Sequence, residues 1–445
     1  MRTHVQCGWL FDGQSDKPAT DRTIVFENDR IDYAGPTAQA PRPRDGDTVL
    51  DCTRDYVLPG LIDVHVHLSY GNAQANEDID IYATPEYRAL RAMNAAQQVL
   101  RAGYTSIADP ASTGYTSTAV RDAINAGMYP GPRVTTSGRQ ITSRQGLGDW
   151  YPSWIGAPDS SIGRLVRNTD EAVEEIRLQV KNRVDFIKVT LDGLHRNPAD
   201  AGLMACFNQR EVDEMVGEAH RLGRKVVTHA RGREAVLLSA RAGVDIILHA
   251  FEMDDECIEA VVKSGSILSP ALTFLVNTIE FTRPSDPCFK WRPNMNRRDI
   301  DMACEGLVKA RKAGIPFMVG TDSGFAITPY GEWHARELEI MVDYIGFTPG
   351  EALRCTTGGN TGLLREGNNV GRIAEGAFAD FIVCAADPLK DIRSLQRKEN
   401  LKAVWLGGKP VPLDAAPEPA RYPWEFSYRQ WNDVYTRDRV KEATA

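Results

Sequence analysis

The run Leu58-Pro59-Gly60-Leu61-Ile62-Asp63-Val64-His65-Val66-His67 decides how the rest of the chain is read. It is a short apolar strand entered through a Pro-Gly turn. Alternation places Asp63, His65 and His67 on one face and Ile62, Val64 and Val66 on the other. Two imidazoles two residues apart at a strand end form a pincer for a transition metal. Two histidines hydrogen-bonded within a core would read the same way. The choice therefore rests on what the other strands contribute.

Downstream, one unit recurs: an amphipathic helix, a glycine stop, then a short apolar strand. The glycines are Gly103, Gly223, Gly243, Gly265 and Gly314. Each is placed to take the left-handed conformation that ends a helix. Val212, Met215, Val216 and Ala219 make one helical stripe, and Ile300, Ala303 and Leu307 another. With the segments 61–67, 133–137 and 186–190, eight candidate strands alternate with helices. That pattern predicts an α/β fold, a parallel (β/α)8 TIM barrel. Alternating β-like stretches in residues 1–57 and again in 368–414, including 371–373, predict a small β-sandwich domain built from both chain ends. The barrel would then span 58–367, and residues 415–445 would form a C-terminal arm packed on the body or on a neighbouring subunit.

Active sites of this barrel lie at the C-terminal ends of the strands. Strand one ends in His65 and His67, strand five in His229, strand six in His249 and strand eight in Asp322. Strand four, 186–190, should turn Phe186, Lys188 and Thr190 to the barrel interior. An ammonium buried beside divalent cations is costly. A neutral amine can instead combine with carbon dioxide, and the resulting carbamate could bridge two metals.

These residues resemble the amidohydrolase superfamily, in particular its binuclear, carboxylated-lysine branch. The resemblance runs from the Leu-Pro-Gly-Leu-Ile-Asp-Val-His-Val-His start through Lys188, Thr228-His229-Ala230 and Leu248-His249-Ala250 to Gly320-Thr321-Asp322-Ser323-Gly324. Gly371-Arg372-Ile373-Ala374-Glu375-Gly376-Ala377-Phe378-Ala379-Asp380 looks like the family's return to its small domain. Thr328-Pro329-Tyr330-Gly331-Glu332 and Ala335-Arg336-Glu337-Leu338-Glu339 are similar to prolidase-like and imidazolonepropionase-related members.

The resemblance implies that His65, His67 and Asp322 hold a buried metal, that His229 and His249 hold a more exposed one, and that carboxylated Lys188 bridges them. It implies a bridging hydroxide that attacks an amide-type carbonyl, with Asp322 as the catalytic proton carrier. The two divalent ions would be zinc, with cobalt, manganese or iron as alternatives. Relatives often carry a Gly-Gly-His-Gly stretch after strand three. Here Leu147 stands at that histidine, which argues against dipeptidase activity of the usual kind. A mononuclear deaminase of the superfamily usually has a glutamate three residues after the strand-five histidine, where this chain has Gly232. A non-catalytic binding protein on the same scaffold would have lost ligands that are all present here.

Loop positions nominate His195, Arg144, Trp150, Tyr330 and His334 for substrate contact, and Arg139 as another carboxylate clamp. The loops after strands three and seven supply aromatic residues (Trp150, Tyr151, Trp154, Phe274, Phe281, Phe289, Trp291) suited to a bulky apolar or aryl group. Composition is that of a globular enzyme: 445 residues, 42% hydrophobic, 25% charged. A net charge of −8 excludes an obvious nucleic-acid surface. No apolar run is long enough to span a bilayer, and the N-terminus lacks the apolar stretch of a secretory signal. The eight cysteines are scattered and none forms a CxxC pair, as expected of free thiols in the cytoplasm. The family resemblance also implies a homo-oligomer.

Overall fold

The computed structural model describes residues 1–196, 203–359, 361–414 and 430–444. Strands from the two chain ends form one sheet of seven. Its order is Lys409–Pro410, Leu401–Leu406, Phe381–Cys384, Thr48–Pro59, Arg2–Leu10, Ala19–Glu27, Arg30–Pro36. Only the Arg2–Leu10 and Thr48–Pro59 pair is parallel. Val5, Ile24, Phe26, Ile31, Val57 and Phe381 bury the core of this sheet. The stretch 371–373 is not a strand. Gly371 turns there with φ +69°, and Ile373 N–H donates to Asp12 O at 3.0 Å.

The central part alternates parallel strands with helices. Leu61–Asp63, Tyr104–Asp109 and Arg133–Thr136 are consecutive neighbours. A second run joins Gly163–Leu165, Gln140–Thr142, Phe186–Thr190, Lys225–Ala230, Ile246–His249 and Ile267–Ser269. The predicted strand three is thus broken. Arg133–Thr136 pairs with strand two and Gln140–Thr142 with strand four. Gly138 sits in the break, where a Cβ would meet Gln179 Cδ at 2.8 Å.

The eighth segment, 316–322, is held by scattered bonds rather than a ladder. Pro316 has no N–H to give. Met318 N–H donates to Leu268 O at 2.9 Å, and Val319 O accepts from Val64 N–H at 2.9 Å. These bonds link strand seven to strand one through the eighth segment.

All five expected glycine stops have positive φ, between 70° and 92°. The stripes also behave as the spacing predicts. Val212, Met215, Val216 and Ala219 are the buried face of helix Gln209–Arg221, and Ile300, Ala303 and Leu307 are buried in helix Arg292–Lys312.

Between these strands, Ile62, Val64, Ala108, Phe186, Val227, Leu248 and Met318 form an apolar plug. Ile187, Val189 and Val66 instead pack in the cluster that includes the helices. Strand one therefore does not keep strict alternation. The Asp63 carboxylate accepts the His65 backbone N–H two residues on, at 2.9 Å. That local turn separates Asp63 from the face of His65 and His67.

Candidate metal centre

Above the plug, a cavity of about 90 Å³ is lined by His65, His67, Lys188, His229, His249 and Asp322 together. Each comes from a different strand end except the two histidines of strand one. The backbone is strained at two of them. His249 has φ 76° and Asp322 φ 57°, values that non-glycine residues rarely adopt and that cluster at functional sites. Gly320 makes room on the same rim, since a Cβ there would meet His65 Cβ at 2.7 Å and Ser269 Oγ at 2.5 Å.

The side chains converge closely. Asp322 Oδ1 lies 3.0 Å from His67 Nε2 and 3.4 Å from His65 Nε2. The His229 and His249 rings meet edge to face at 4.5 Å, and His65 and His249 are 5.3 Å apart. Ligand atoms of His65, His249 and Asp322 lie within 4.8 Å of one another. That trio takes members from both of the ligand sets expected from the sequence, so the two sets adjoin.

The electrostatics are those of a site built for cations. Burial pushes the Lys188 amine well below its ordinary range, despite the opposing pull of Asp322 and Asp192. Burial likewise pushes His65, His229 and His249 well below the usual imidazole range. The shifts favour the neutral forms, which have a lone pair to give. Burial alone would raise Asp322, but the imidazoles of His65 and His67 outweigh it and hold the carboxyl well below its usual range.

Among the described residues, Lys188 Nζ, His229 Nε2, His249 Nδ1 and the Nδ1 atoms of His65 and His67 are buried with no hydrogen-bond partner. Orphaned buried polar atoms are costly. Four imidazoles and an amine left in that state, around the Asp322 carboxylate, fit a divalent metal centre.

The expected substrate contacts divide. Trp150 lines the cavity and donates its indole N–H to Asp80 Oδ2 at 2.8 Å. Leu147 also lines it. Arg144 lines a separate cavity beside Phe207 and Met215. Arg139 is spent on the carbonyls of Gly163 and Pro158.

Tyr330 is not on the cavity wall. Its hydroxyl donates to His67 O at 2.5 Å and accepts from Gly71 N–H at 2.9 Å, tying down the end of strand one. His334 is also a framework residue. Its Nε2 accepts Gly331 N–H at 3.0 Å, so Nδ1 carries the proton and donates to Asp63 Oδ2 at 2.7 Å. The backbone of His195 belongs to strand Asp192–Arg196, and its side chain lies outside the described residues.

Of the expected aromatic walls, Trp150 and Phe274 line the cavity, whereas Trp154 is 85% exposed and Phe289 and Trp291 are also exposed. Tyr70, stacked on His67 at 4.2 Å, and Phe325 take their place. Arg231, Arg292, Gln430 and Trp431 complete the wall. Tyr70, Arg231 and Phe325 each follow a strand-end ligand by two or three residues, and extending the strand-end argument that far would have reached them. Position 232 has no space for a glutamate: a Cβ there would meet Leu203 Cβ at 2.8 Å and Leu203 O at 3.0 Å.

Comparison with known proteins agrees with this architecture. Ochratoxinase of Aspergillus niger is 27% identical over 424 residues, covering 92% of this chain and 86% of that protein. Its crystal structure superposes with a TM-score of 0.80 at 25% identity, over 92% of this chain and 95% of that one. A crystal structure of a Xaa-Pro dipeptidase with methionine in its active site gives a TM-score of 0.80 at 26% identity, over 92% of this chain and 99% of the other. Imidazolonepropionase of Xanthomonas campestris pv. campestris is 24% identical over 402 residues, 84% of this chain and 89% of that protein. These neighbours share a TIM-barrel fold with a second domain. The pattern of the Amidohydrolase family matches residues 56–411, and the chain belongs to that family.

Proposed function

We propose that this chain is a binuclear metal-dependent amidohydrolase whose centre is held by His65, His67, His229, His249, Asp322 and carboxylated Lys188. The reaction is hydrolysis of an amide-type C–N bond. The observation that carries the reading is the convergence of these six side chains on one cavity, with a buried nitrogen of Lys188 and of each of the four histidines lacking a hydrogen-bond partner. His65, His67 and Asp322 would hold one ion and His229 and His249 the other. Zinc suits this donor set best, with cobalt, manganese or iron as alternatives. Divalent ions bound there would supply a water of lowered pKa and polarise the substrate carbonyl.

The chain's own groups do the rest. Lys188, kept neutral by burial, forms an N–C bond to carbon dioxide and releases a proton from nitrogen, leaving an anionic carbamate. Asp322, kept ionised, has Oδ1 against His65 and His67. Its Oδ2 then takes the proton of the attacking water and passes it to the leaving nitrogen. Trp150, Tyr70, Phe274 and Phe325 give the pocket an aromatic lining, which suits a bulky apolar or aryl group.

The same reading takes the barrel as closed over 58–367, the small domain (1–57 with 368–414) as a sandwich, and 415–445 as an arm. The arm's residues 415–429 lie outside the described residues. No helix among the described residues is long and apolar enough to cross a membrane. The free cysteines support a cytoplasmic setting. We also retain a homo-oligomer and a small-molecule substrate as part of this reading.

The test is a screen of metal-loaded protein against N-acyl amino acids, aryl amides, prolyl dipeptides and carbamates. Metal-dependent turnover of at least one class is expected. Stoichiometric metal with no turnover of any amide, carbamate or ester would overturn the proposal in favour of a binding protein.

A further inference from the structure

Two guanidinium groups face the cavity that holds the candidate metal ligands. Arg231 follows the strand-five histidine by two residues, and Arg292 begins the helix Arg292–Lys312. Both line the cavity, and Asp322 is the one acidic side chain among its described lining residues. Asp192, which does not line the cavity, is a buried carboxylate that acts on Arg231, whereas the one carboxylate that acts on Arg292 is Asp322.

Arg292 is clamped rather than solvated. Its guanidinium lies 5.2 Å from the Phe274 ring and 5.1 Å from the Trp431 ring, and Nη1 donates to Gln430 Oε1. The Nε atoms of Arg231 and Arg292 are both buried with no hydrogen-bond partner among the described residues. Burial pushes Arg292 down to about 10, and the like charge of Arg231 acts in the same direction. It stays charged near neutral pH. Two cations that repel across an apolar pocket, each with an unused donor, are arranged for an anion that enters with the substrate. A planar fork of donors matches a carboxylate in particular.

We propose that Arg231 and Arg292 are specificity-determining residues that bind a free carboxylate of the substrate, so that the preferred amide is an N-acyl amino acid or related carboxylate with an aromatic group. The proposal rests on the amidohydrolase reading for its substrate, but its binding step can be measured alone. Arg292 is brought to the cavity by a helix far in sequence from the ligands, and Gln430 and Trp431 by the C-terminal segment. The carboxylate site thus depends on that segment being docked.

The test is calorimetric binding of phenylacetate and of its neutral relative phenylethanol to metal-loaded protein. Wild type, Arg231→Gln, Arg292→Met and Arg292→Lys are compared, with a thermal melt of each. The wild type is expected to prefer phenylacetate by about 10- to 150-fold, the range for a hydrogen bond to a charged group. That preference should collapse in Arg231→Gln and Arg292→Met and return in part in Arg292→Lys. If Arg292→Met fails to fold, Arg231→Gln and Arg292→Lys decide.

No preference in the wild type, or the same preference in every folded variant, overturns the proposal. The latter would mean that the metal ions alone hold the carboxylate. Arginine-dependent binding by a protein that hydrolyses no amide would sink the hydrolase reading and leave this one standing. Amide turnover without carboxylate preference would do the reverse.

Discussion

Two buried polar clusters lie within a few residues of each other in this barrel, and they differ in how far their donors and acceptors are spent. Around Asp63, each oxygen has a partner. Oδ1 accepts from His65 N–H and Thr321 N–H, and Oδ2 accepts from the Thr321 hydroxyl and His334 Nδ1–H. Around Lys188, the amine and the four imidazoles of the cavity retain unpaired atoms. Both clusters are almost fully buried and both contain histidine. Burial of a histidine therefore says little about function. A set of unsatisfied donors clustered beside a cavity says a good deal, because leaving them unpaired is costly unless something else binds there.

The contrast can be broken or sharpened by mutation. The largest effect is expected on the unsatisfied side. Asp322→Asn should lower kcat/KM by about 10²- to 10⁴-fold, the range for removing a positioned proton carrier. The fold and most of the metal should be kept, as steady-state kinetics and metal analysis would show. Near-normal turnover would count against the proton role.

On the satisfied side, His334→Ala should leave metal content close to wild type but cost about 3–5 kcal/mol of stability, because it strips a partner from a buried carboxylate. Chemical denaturation reads this directly. A metal-free loss of that size with intact metal binding would separate framework from centre. Loss of the metal with unchanged stability would merge them.

Lys188→Met should do the opposite. It should abolish bridged metal, yet stabilise the metal-free protein by about 1–3 kcal/mol, since it removes an orphaned buried amine. Added short carboxylic acids should restore part of the activity of Lys188→Ala, where space is left.

The pH dependence of the metal-free wild type sharpens the same point. A lysine whose folded-state pKa is depressed binds fewer protons folded than unfolded. Its contribution therefore makes stability rise with pH up to the ordinary lysine range. In Lys188→Met that part of the slope should vanish. The smallest effect is expected far from either cluster. Asn208→Ala removes the side-chain cap of helix Gln209–Arg221 and should cost about 1 kcal/mol with no change in metal content.

Much of this was legible in the chain, for physical reasons that can be named. Glycine stops and 3.6-residue stripes report local backbone needs, so the helix–strand units stand out without tertiary information. Strand-end residues share a rim because parallel strands start level, which is how His65, Lys188, His229, His249 and Asp322 could be grouped. What resisted was direction. His334 and Tyr330 follow the eighth segment closely, yet they turn back to hold Asp63 and the end of strand one. Strand one switches face after Val64, where the turn from Asp63 Oδ1 to His65 N–H competes with the pleat. The broken third strand and the ladderless eighth depend on Gly138 and Pro316 in ways that alternation does not signal. Arg292 and Trp431 reach the cavity through long-range docking, Trp431 through an indole N–H to Thr282, and no local pattern announces such a contact.

The most direct measurement is a crystal structure of fully metal-loaded protein with anomalous scattering at the metal edge. The account predicts two divalent ions per chain, with Lys188 carrying a carboxylate that touches both. A single ion beside an unmodified lysine amine would contradict it.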